Sequence, residues 1–242
     1  LGQELESAPL SGCIGIGHTR WATHGPAIEA NAHPHRSEHV AVVHNGIIEN
    51  YRDLKQHLIA DGAEFTSDTD TEVIAHLFSQ NLRAKDDVMA AAAATFAALD
   101  GAYAIALIVE GLENRIIIGR NGSPLAVGYG SGEMFIGSDA FALAPFTNRI
   151  AYLNDGDWAV ISDKGAEIFA ADGSGVTRKQ VVVDAASAMV DKGNYRHFMS
   201  KEIHEQPEVL SRTFGQYADP ENRCVTLPEN DVDLASVKRV IL

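Results

Sequence analysis

The chain has 242 residues, 45% of them apolar, which is enough for one sizeable hydrophobic core and part of a second domain. Its 19 basic and 33 acidic residues give a formal net charge of −14, which disfavours nucleic acid as a partner because phosphates would be repelled. No apolar run has the roughly 18 residues of a membrane span. Two isolated cysteines and no signal peptide lead us to expect a cytoplasmic protein.

The first hundred residues are predicted to mix strands with helices. Apolar runs at residues 13–18 and 39–44 predict two buried strands. Leu54, Leu58 and Ile59 recur at helical spacing, which predicts a helix over residues 49–61. Two more helices are indicated further on: residues 69–72 have the pattern of a capping box for a helix over 73–82, and residues 86–99 are rich in alanine.

After Gly101 short apolar segments alternate with Gly, Asn and Asp turns, which is typical of strands. A helix over residues 138–143 is the one interruption that the pattern predicts. Consecutive helices followed by many strands favour an α+β sandwich with large, mainly antiparallel sheets. The predicted strands cover residues 103–110, 115–120, 124–130, 133–137, 149–153, 157–162, 166–170 and 177–184.

The pattern changes again near residue 185, where a polar stretch predicts a connector. A helix is predicted over residues 202–214. Residues 237–242 predict a buried strand without a successor, which leads us to expect that the natural chain continues.

The octapeptide HTRWATHG, residues 18–25, follows the first predicted strand. The guanidinium of Arg20 and the hydroxyl of Thr23 suit a carboxylate, since arginine offers two parallel N–H donors. The alternative is an exposed loop in which Arg20 pairs with an acidic side chain.

Two further motifs have both a catalytic and an ordinary interpretation. Asn45 and Gly46 could form an oxyanion hole from a side-chain N–H and a backbone N–H, although Asn-Gly after a strand is also typical of a hairpin turn. Asp70 could anchor a substrate ammonium, or it could complement the dipole of the helix that follows.

Six histidines between residues 18 and 44 raise the question of a metal site. Cys13 is the only thiol nearby and no HExxH pattern occurs, so we expect no metal and interpret His33, His35 and His39 as loop and strand-entry residues. Cys13 lies in an apolar run without an adjacent base, which favours a buried, inert thiol over a nucleophile.

A carboxylate clamp, an oxyanion hole and an ammonium anchor describe an amino-acid substrate with a carbonyl under attack, and glutamine fits. HTRWATHG, NAHPH (31–35), VVHNGIIEN (42–50) and SDTDTEVIAHL (67–77), in this order, resemble the N-terminal-nucleophile glutamine amidotransferase domain. The stretch DKGNYRHFMSKEIHEQP (191–207) resembles the interdomain junction of the isomerising aminotransferase family that acts on glutamine and fructose 6-phosphate.

The resemblance implies a four-layer αββα sandwich of the N-terminal-nucleophile hydrolase type and no cofactor. It implies a glutaminase domain at residues 1–188, a linker at 189–200 and the start of a sugar isomerase domain at 201–242. The resemblance also implies roles for the site residues. Arg20 and Thr23 would bind the α-carboxylate of glutamine, Asp70 its α-ammonium, and Asn45 and Gly46 would form the oxyanion hole. Trp21 would close over glutamine and gate an ammonia channel, and His24 and His33 would support the pocket.

The family enzyme passes ammonia from glutamine to fructose 6-phosphate, makes glucosamine 6-phosphate and is a homodimer. Its nucleophile is an N-terminal cysteine whose α-amine acts as the base, several dozen residues before HTRWATHG. Only seventeen residues precede His18. We therefore expect a piece of such an enzyme, without its first elements, that cannot hydrolyse glutamine alone.

Two alternatives remain open at this point. One is another amidotransferase of the same class, such as the purine type, against which the junction argues. The other is a non-catalytic glutamine-binding module that has lost its cysteine.

Overall fold

The computed structural model describes residues 6–9, 11–20, 22–183, 197–219 and 224–225. The chain divides into two compact units, Leu1–Met189 and Val190–Leu242. The first unit contains the eight strands that the sequence predicts between Gly101 and residue 184. The described strands are β1 (His35–Ser37), β2 (Val40–Ile48), β3 (Gly101–Val109), β4 (Arg115–Asn121), β5 (Ala126–Tyr129), β6 (Met134–Gly137), β7 (Arg149–Tyr152), β8 (Trp158–Ser162), β9 (Gly165–Phe169), β10 (Gly175–Val176), β11 (Gln180–Val182), β12 (Ala218–Asp219) and β13 (Cys224–Val225).

Helices connect and cover these strands. None of the described helices has the length and apolar character needed to cross a bilayer. The sequence predicted the α-helices to within a few residues at one end or both and did not predict the 3-10 turn that completes the described helices. They are a 3-10 turn at Glu29–Asn31, α1 (Tyr51–Ala60), α2 (Glu72–Lys85), α3 (Val88–Ala98), α4 (Ala140–Leu143) and, in the second unit, α5 (Phe198–Tyr217).

The first unit contains two antiparallel sheets, as far as the structure describes it. The larger has the order β1-β2-β3-β4-β8-β9-β10 and the smaller β11-β7-β5-β6. The register of β2 with β3 runs without interruption from Val40 opposite Val109 to Ile48 opposite Gly101. This long pairing holds β2 between β1 and β3 in the larger sheet.

Alternation along the strands sends neighbouring side chains into different layers of the core. One face of the larger sheet packs against α1, α2 and α3; here Val42 and Ile117 meet Phe78 and Phe96. The adjacent residues of the same strands, such as Val43 and Ile118, belong to a second core shared with the smaller sheet. Beyond the smaller sheet, α4 packs on Ala126 and Ile150. The result is the predicted αββα order of layers.

Two predictions near the ends of the chain need correction or fall outside the described residues. Residues 13–18 do not form a strand, and Cys13 is exposed rather than buried. Gly15 and Gly17 give this run few side chains to pack, which weakens a strand. Helix α5 begins at Phe198, inside the predicted connector. The predicted strand at 237–242 and most of the connector lie outside the described residues.

Candidate functional site

Strand β2 continues through the Asn-Gly pair, so the hairpin-turn interpretation of HNG is wrong. Asn45 lies opposite Ala104 and Gly46 opposite Tyr103 on β3. Gly46 has a φ of 132°, and a Cβ at this position would collide with the carbonyl oxygen of Ala102. Only glycine therefore permits this pairing, because it has no Cβ and tolerates positive φ.

A cavity of about 230 Å³ lies beside this part of β2. Seven of the eight residues predicted for the site line it, and the eighth, Trp21, lies outside the described residues. The polar lining converges from three segments that are distant in sequence. The lining residues are His18, Arg20, Thr23, His24, His33, His44, Asn45, Gly46, Ile47, Thr69, Asp70 and Thr71.

Arg20 organises the loop that forms one side of the cavity. Its guanidinium donates to the carbonyl oxygens of His24 at 2.9 Å, Pro26 at 3.0 Å and Gly25 at 3.2 Å. Its backbone N–H donates to His18 Nδ1 at 2.9 Å. Arg20 pairs with no acidic side chain in the described chain, so the ion-pair interpretation is wrong. Since a guanidinium has five N–H donors, at least two remain for a ligand.

Asp70 lies opposite, just before α2, and is 3% exposed. Its Oδ2 accepts a hydrogen bond from the backbone N–H of Ile48 at 2.8 Å. Its Oδ1 is 3.7 Å from His24 Nδ1, whose ring in turn packs edge-on against Tyr51. One carboxylate oxygen therefore stabilises the fold by accepting from the β2 backbone, and the other lies beside His24 in the loop at the cavity.

Two side chains that are not among the predicted site residues hold the Asp70 segment in place. Asn31, fully buried, donates to Pro26 O at 3.1 Å and accepts from the backbone N–H of Asp68 at 2.9 Å. Glu72, 1% exposed, accepts hydrogen bonds from the backbone N–H groups and the hydroxyls of Thr66 and Ser67 at 2.7–2.9 Å. The predicted capping box is therefore wrong, because Glu72 binds the preceding loop and not the first turn of its own helix.

Four of the histidines pack around the cavity. The His33 ring centroid is 4.5 Å from that of His18 and 5.0 Å from that of His35. Burial, and then the neighbouring His18, lowers the pKa of His33 to about 3. Burial, and then His33, lowers the pKa of His44 to about 3 as well. Both rings are therefore neutral at pH 7. In the described ranges no group of three or more His, Cys, Asp or Glu side chains is arranged to hold a metal ion.

A second cavity of about 340 Å³ lies between the two sheets and shares His18, His44 and Asn45 with the first. Its remaining lining is mostly apolar. Cys13 lines neither cavity and lies in a separate depression beside Ile14 and Met134. Asn45 thus stands at the boundary between a polar and an apolar space.

The chain also matches a known protein family. The glutamine amidotransferase domain family matches residues 18–145, and the chain belongs to that family. The matched residues include the whole of the cavity lining.

Among curated proteins the chain is similar to glutamine–fructose-6-phosphate aminotransferases (isomerizing). It is 56% identical to that of Mesorhizobium japonicum over 219 residues, 90% of this chain and 36% of the relative. It is 55% identical to that of Rhizobium meliloti strain 1021 over 230 residues, 95% of this chain and 38% of the relative. The chain therefore spans well under half the length of these relatives.

Solved structures of amidotransferases share the fold. Glutamine phosphoribosylpyrophosphate amidotransferase from B. subtilis superposes with a TM-score of 0.55 at 27% identity, over 64% of this chain and 34% of that chain. An allosteric regulatory enzyme of purine biosynthesis gives a TM-score of 0.53 at 28% identity, over the same shares of the two chains. The fold is therefore that of the N-terminal-nucleophile amidotransferases.

Proposed function

We propose that the 230 Å³ cavity binds L-glutamine. The observation that carries this proposal is the convergence of Arg20, Asp70 and the Asn45–Gly46 pair on one small space. A cationic and an anionic group at such a site suit the two charges of a free amino acid, and charge-assisted hydrogen bonds to both add affinity.

Each group has a role in this proposal. Arg20 and Thr23 bind the α-carboxylate, and Asp70 binds the α-ammonium. The side-chain N–H of Asn45 and the backbone N–H of Gly46 stabilise an oxyanion at the side-chain amide. His24 and His33 support the pocket, and Trp21 covers the bound glutamine and gates the passage of ammonia.

We further propose that the chain acts as part of a longer enzyme. In it, ammonia released from glutamine passes to fructose 6-phosphate and gives glucosamine 6-phosphate. The chain is 55–56% identical to glutamine–fructose-6-phosphate aminotransferases and 27–28% identical to the purine-type amidotransferases. This difference supports fructose 6-phosphate as the acceptor over the acceptor of the purine-type enzymes. In this proposal residues 1–188 are the glutaminase domain, 189–200 the linker and 201–242 the start of the isomerase domain of a cytoplasmic homodimer.

The 242-residue polypeptide by itself is proposed to bind glutamine without turning it over. Its two cysteines are Cys13 and Cys224. Cys13 lies outside the cavity lining, and Cys224 belongs to β13 in the second unit. Neither offers a thiol next to its own α-amine, as the family's chemistry requires.

Calorimetric titration of the 242-residue chain with L-glutamine tests binding, and glutamate release measured on the same sample tests turnover. We expect saturable binding and no thiol-dependent glutamate formation. Absence of binding at tens of millimolar glutamine refutes the site, whereas turnover that is abolished by thiol alkylation refutes the proposed lack of a nucleophile.

A further inference from the structure

Thr71 lies between two imidazoles in the wall of the 230 Å³ cavity. Its Oγ1 is 3.1 Å from His33 Nε2 and 3.0 Å from His44 Nδ1. Thr71 is 2% exposed and His44 3% exposed. On the far side of each ring, His33 Nδ1 and His44 Nε2 are buried and have no hydrogen-bond partner among the described residues.

The hydroxyl of Thr71 has one hydrogen and serves two rings that are both neutral. A neutral imidazole carries one N–H and one lone pair. Acceptance from both rings would leave the buried hydroxyl hydrogen without a partner among the described residues, which is costly, so the hydroxyl donates to one ring and accepts from the other.

Two arrangements satisfy this condition. If Thr71 donates to His33 Nε2, His33 carries its proton on Nδ1, and His44 donates to Thr71 from Nδ1. If Thr71 donates to His44 Nδ1, His44 carries its proton on Nε2, and His33 donates from Nε2. In both arrangements the two rings have the same tautomer, and one of the two outward nitrogens bears a proton while the other offers a lone pair.

We propose that Thr71 is a positioning residue that gives His33 and His44 matched tautomers, so that the cavity wall contains one imidazole donor and one imidazole acceptor. Because His33 Nδ1 and His44 Nε2 are buried, the two rings present this donor and acceptor inside the cavity wall and not on its surface. The matching of the tautomers does not depend on the proposed function.

Imidazole ¹⁵N chemical shifts of the 242-residue chain report the tautomers directly. Spectra of His33→Gln and His44→Gln assign the two rings. At pH 7, without ligand, we expect both rings in the Nδ1–H form or both in the Nε2–H form, in the wild type and in Thr71→Ser. Thr71→Val keeps the shape and removes the hydroxyl, so at least one ring is expected to change its tautomer signature.

Thr95→Val is the matched control. Thr95 is also fully buried, and its hydroxyl donates to Ala91 O, far in sequence from the imidazoles. Its substitution is expected to leave both signals unchanged. Opposite tautomers in the wild type, or a Thr71→Val spectrum identical to that of the wild type, would overturn the proposal. If Thr71→Val does not fold, the wild-type and Thr71→Ser spectra test the proposal, and opposite tautomers of His33 and His44 in them would overturn it.

Addition of L-glutamine separates this proposal from the proposed function. When glutamine binds, we expect the shifts of both rings to change together, because a ligand that fixes one tautomer fixes the other. A change of tautomer in one ring alone contradicts the coupling. Absence of any glutamine response refutes the glutamine site and leaves the tautomer result standing.

Discussion

Asp70 accepts a hydrogen bond from the backbone N–H of Ile48 at 2.8 Å, and this bond ties the start of α2 to the end of β2. Ile48 is two residues beyond Gly46 in the same strand. One carboxylate therefore fixes the strand that carries the proposed oxyanion hole and also supplies the proposed ammonium anchor. In the proposed function, the groups that bind the two ends of glutamine are therefore connected through this contact.

Asp70→Asn separates the two roles of this carboxylate. The amide oxygen still accepts from Ile48, so the fold is retained, but the negative charge is lost. We expect L-glutamine to bind about 10- to 100-fold more weakly, since a hydrogen bond to a charged group contributes about 1.5–3 kcal/mol. Calorimetry measures the effect.

Two controls accompany this measurement. Asp53→Asn removes an exposed carboxylate on α1 and is expected to leave affinity unchanged. Glutaramate, which lacks the α-ammonium, is expected to bind the wild type and Asp70→Asn alike. Unchanged glutamine affinity in Asp70→Asn argues against the ammonium role.

Arg20→Lys tests the carboxylate clamp. Lysine keeps the charge but loses the planar fork that holds the carbonyls of His24, Gly25 and Pro26. We expect at least a roughly tenfold loss of glutamine affinity, equivalent to about 1.4 kcal/mol. Arg83→Lys, exposed on α2, is the matched control. Equal affinity in the two variants would rule out the clamp.

Gly46→Ala tests whether the backbone of β2 requires glycine at the proposed oxyanion hole. Its Cβ would collide with Ala102 O, so we expect a loss of about 3 kcal/mol or more in the free energy of unfolding. Gly62→Ala is the control, since Gly62 also has positive φ, 92°, but open space around it. That variant is expected to lose only about 1–2 kcal/mol. Urea denaturation measures the free energy of unfolding of both variants. Equal losses in Gly46→Ala and Gly62→Ala would contradict the close approach of Gly46 to β3.

Glu72→Gln tests the anchor of the loop before α2. Burial by itself raises the pKa of Glu72, but the neighbouring His76 and the hydrogen bonds from Ser67 and Thr66 outweigh it and hold the pKa below its ordinary value of 4.5. The stabilisation is therefore complete above about pH 4.5 and is lost as the pH falls further. We expect Glu72→Gln to be about 3 kcal/mol less stable at pH 7, because a buried amide N–H₂ would face donors.

The pH profile supplies the sharper test of Glu72. The difference between the wild type and Glu72→Gln in unfolding free energy is expected to shrink below about pH 4.5. Glu64→Gln, at an exposed position in the same segment, is expected to change stability by less than about 0.5 kcal/mol. A difference that stays constant from pH 7 to pH 3 contradicts an ionised, hydrogen-bonded Glu72.

Strands β3 to β9 and β11 could be predicted because each combines an apolar run with a Gly, Asn or Asp turn, whereas the two-residue strands β10, β12 and β13 were not predicted. The αββα order of layers was implied by family resemblance, and the alternation of Val42 and Val43 between two cores gives it a physical basis. Seven of the predicted site residues line one cavity, although the motifs that contain them are far apart in sequence.

Other features depend on contacts that no local pattern encodes. Asn-Gly favours a turn locally, yet the ladder to β3 carries β2 through Gly46. Glu72 matches a capping box, but the buried loop at Thr66 and Ser67 offers its carboxylate more donors. Asn31 and Thr71 have no sequence signal of their own; their importance comes from the distant groups that they join.

The most direct test of the central claim is an amide ¹H–¹⁵N titration of the chain with L-glutamine. We predict saturable shifts concentrated at Asn45, Gly46 and Ile48 and at Asp70 and Thr71, with much smaller shifts for D-glutamine at the same concentration. Saturable shifts that fall elsewhere, or none up to tens of millimolar L-glutamine, would contradict the assignment of this cavity as a glutamine site.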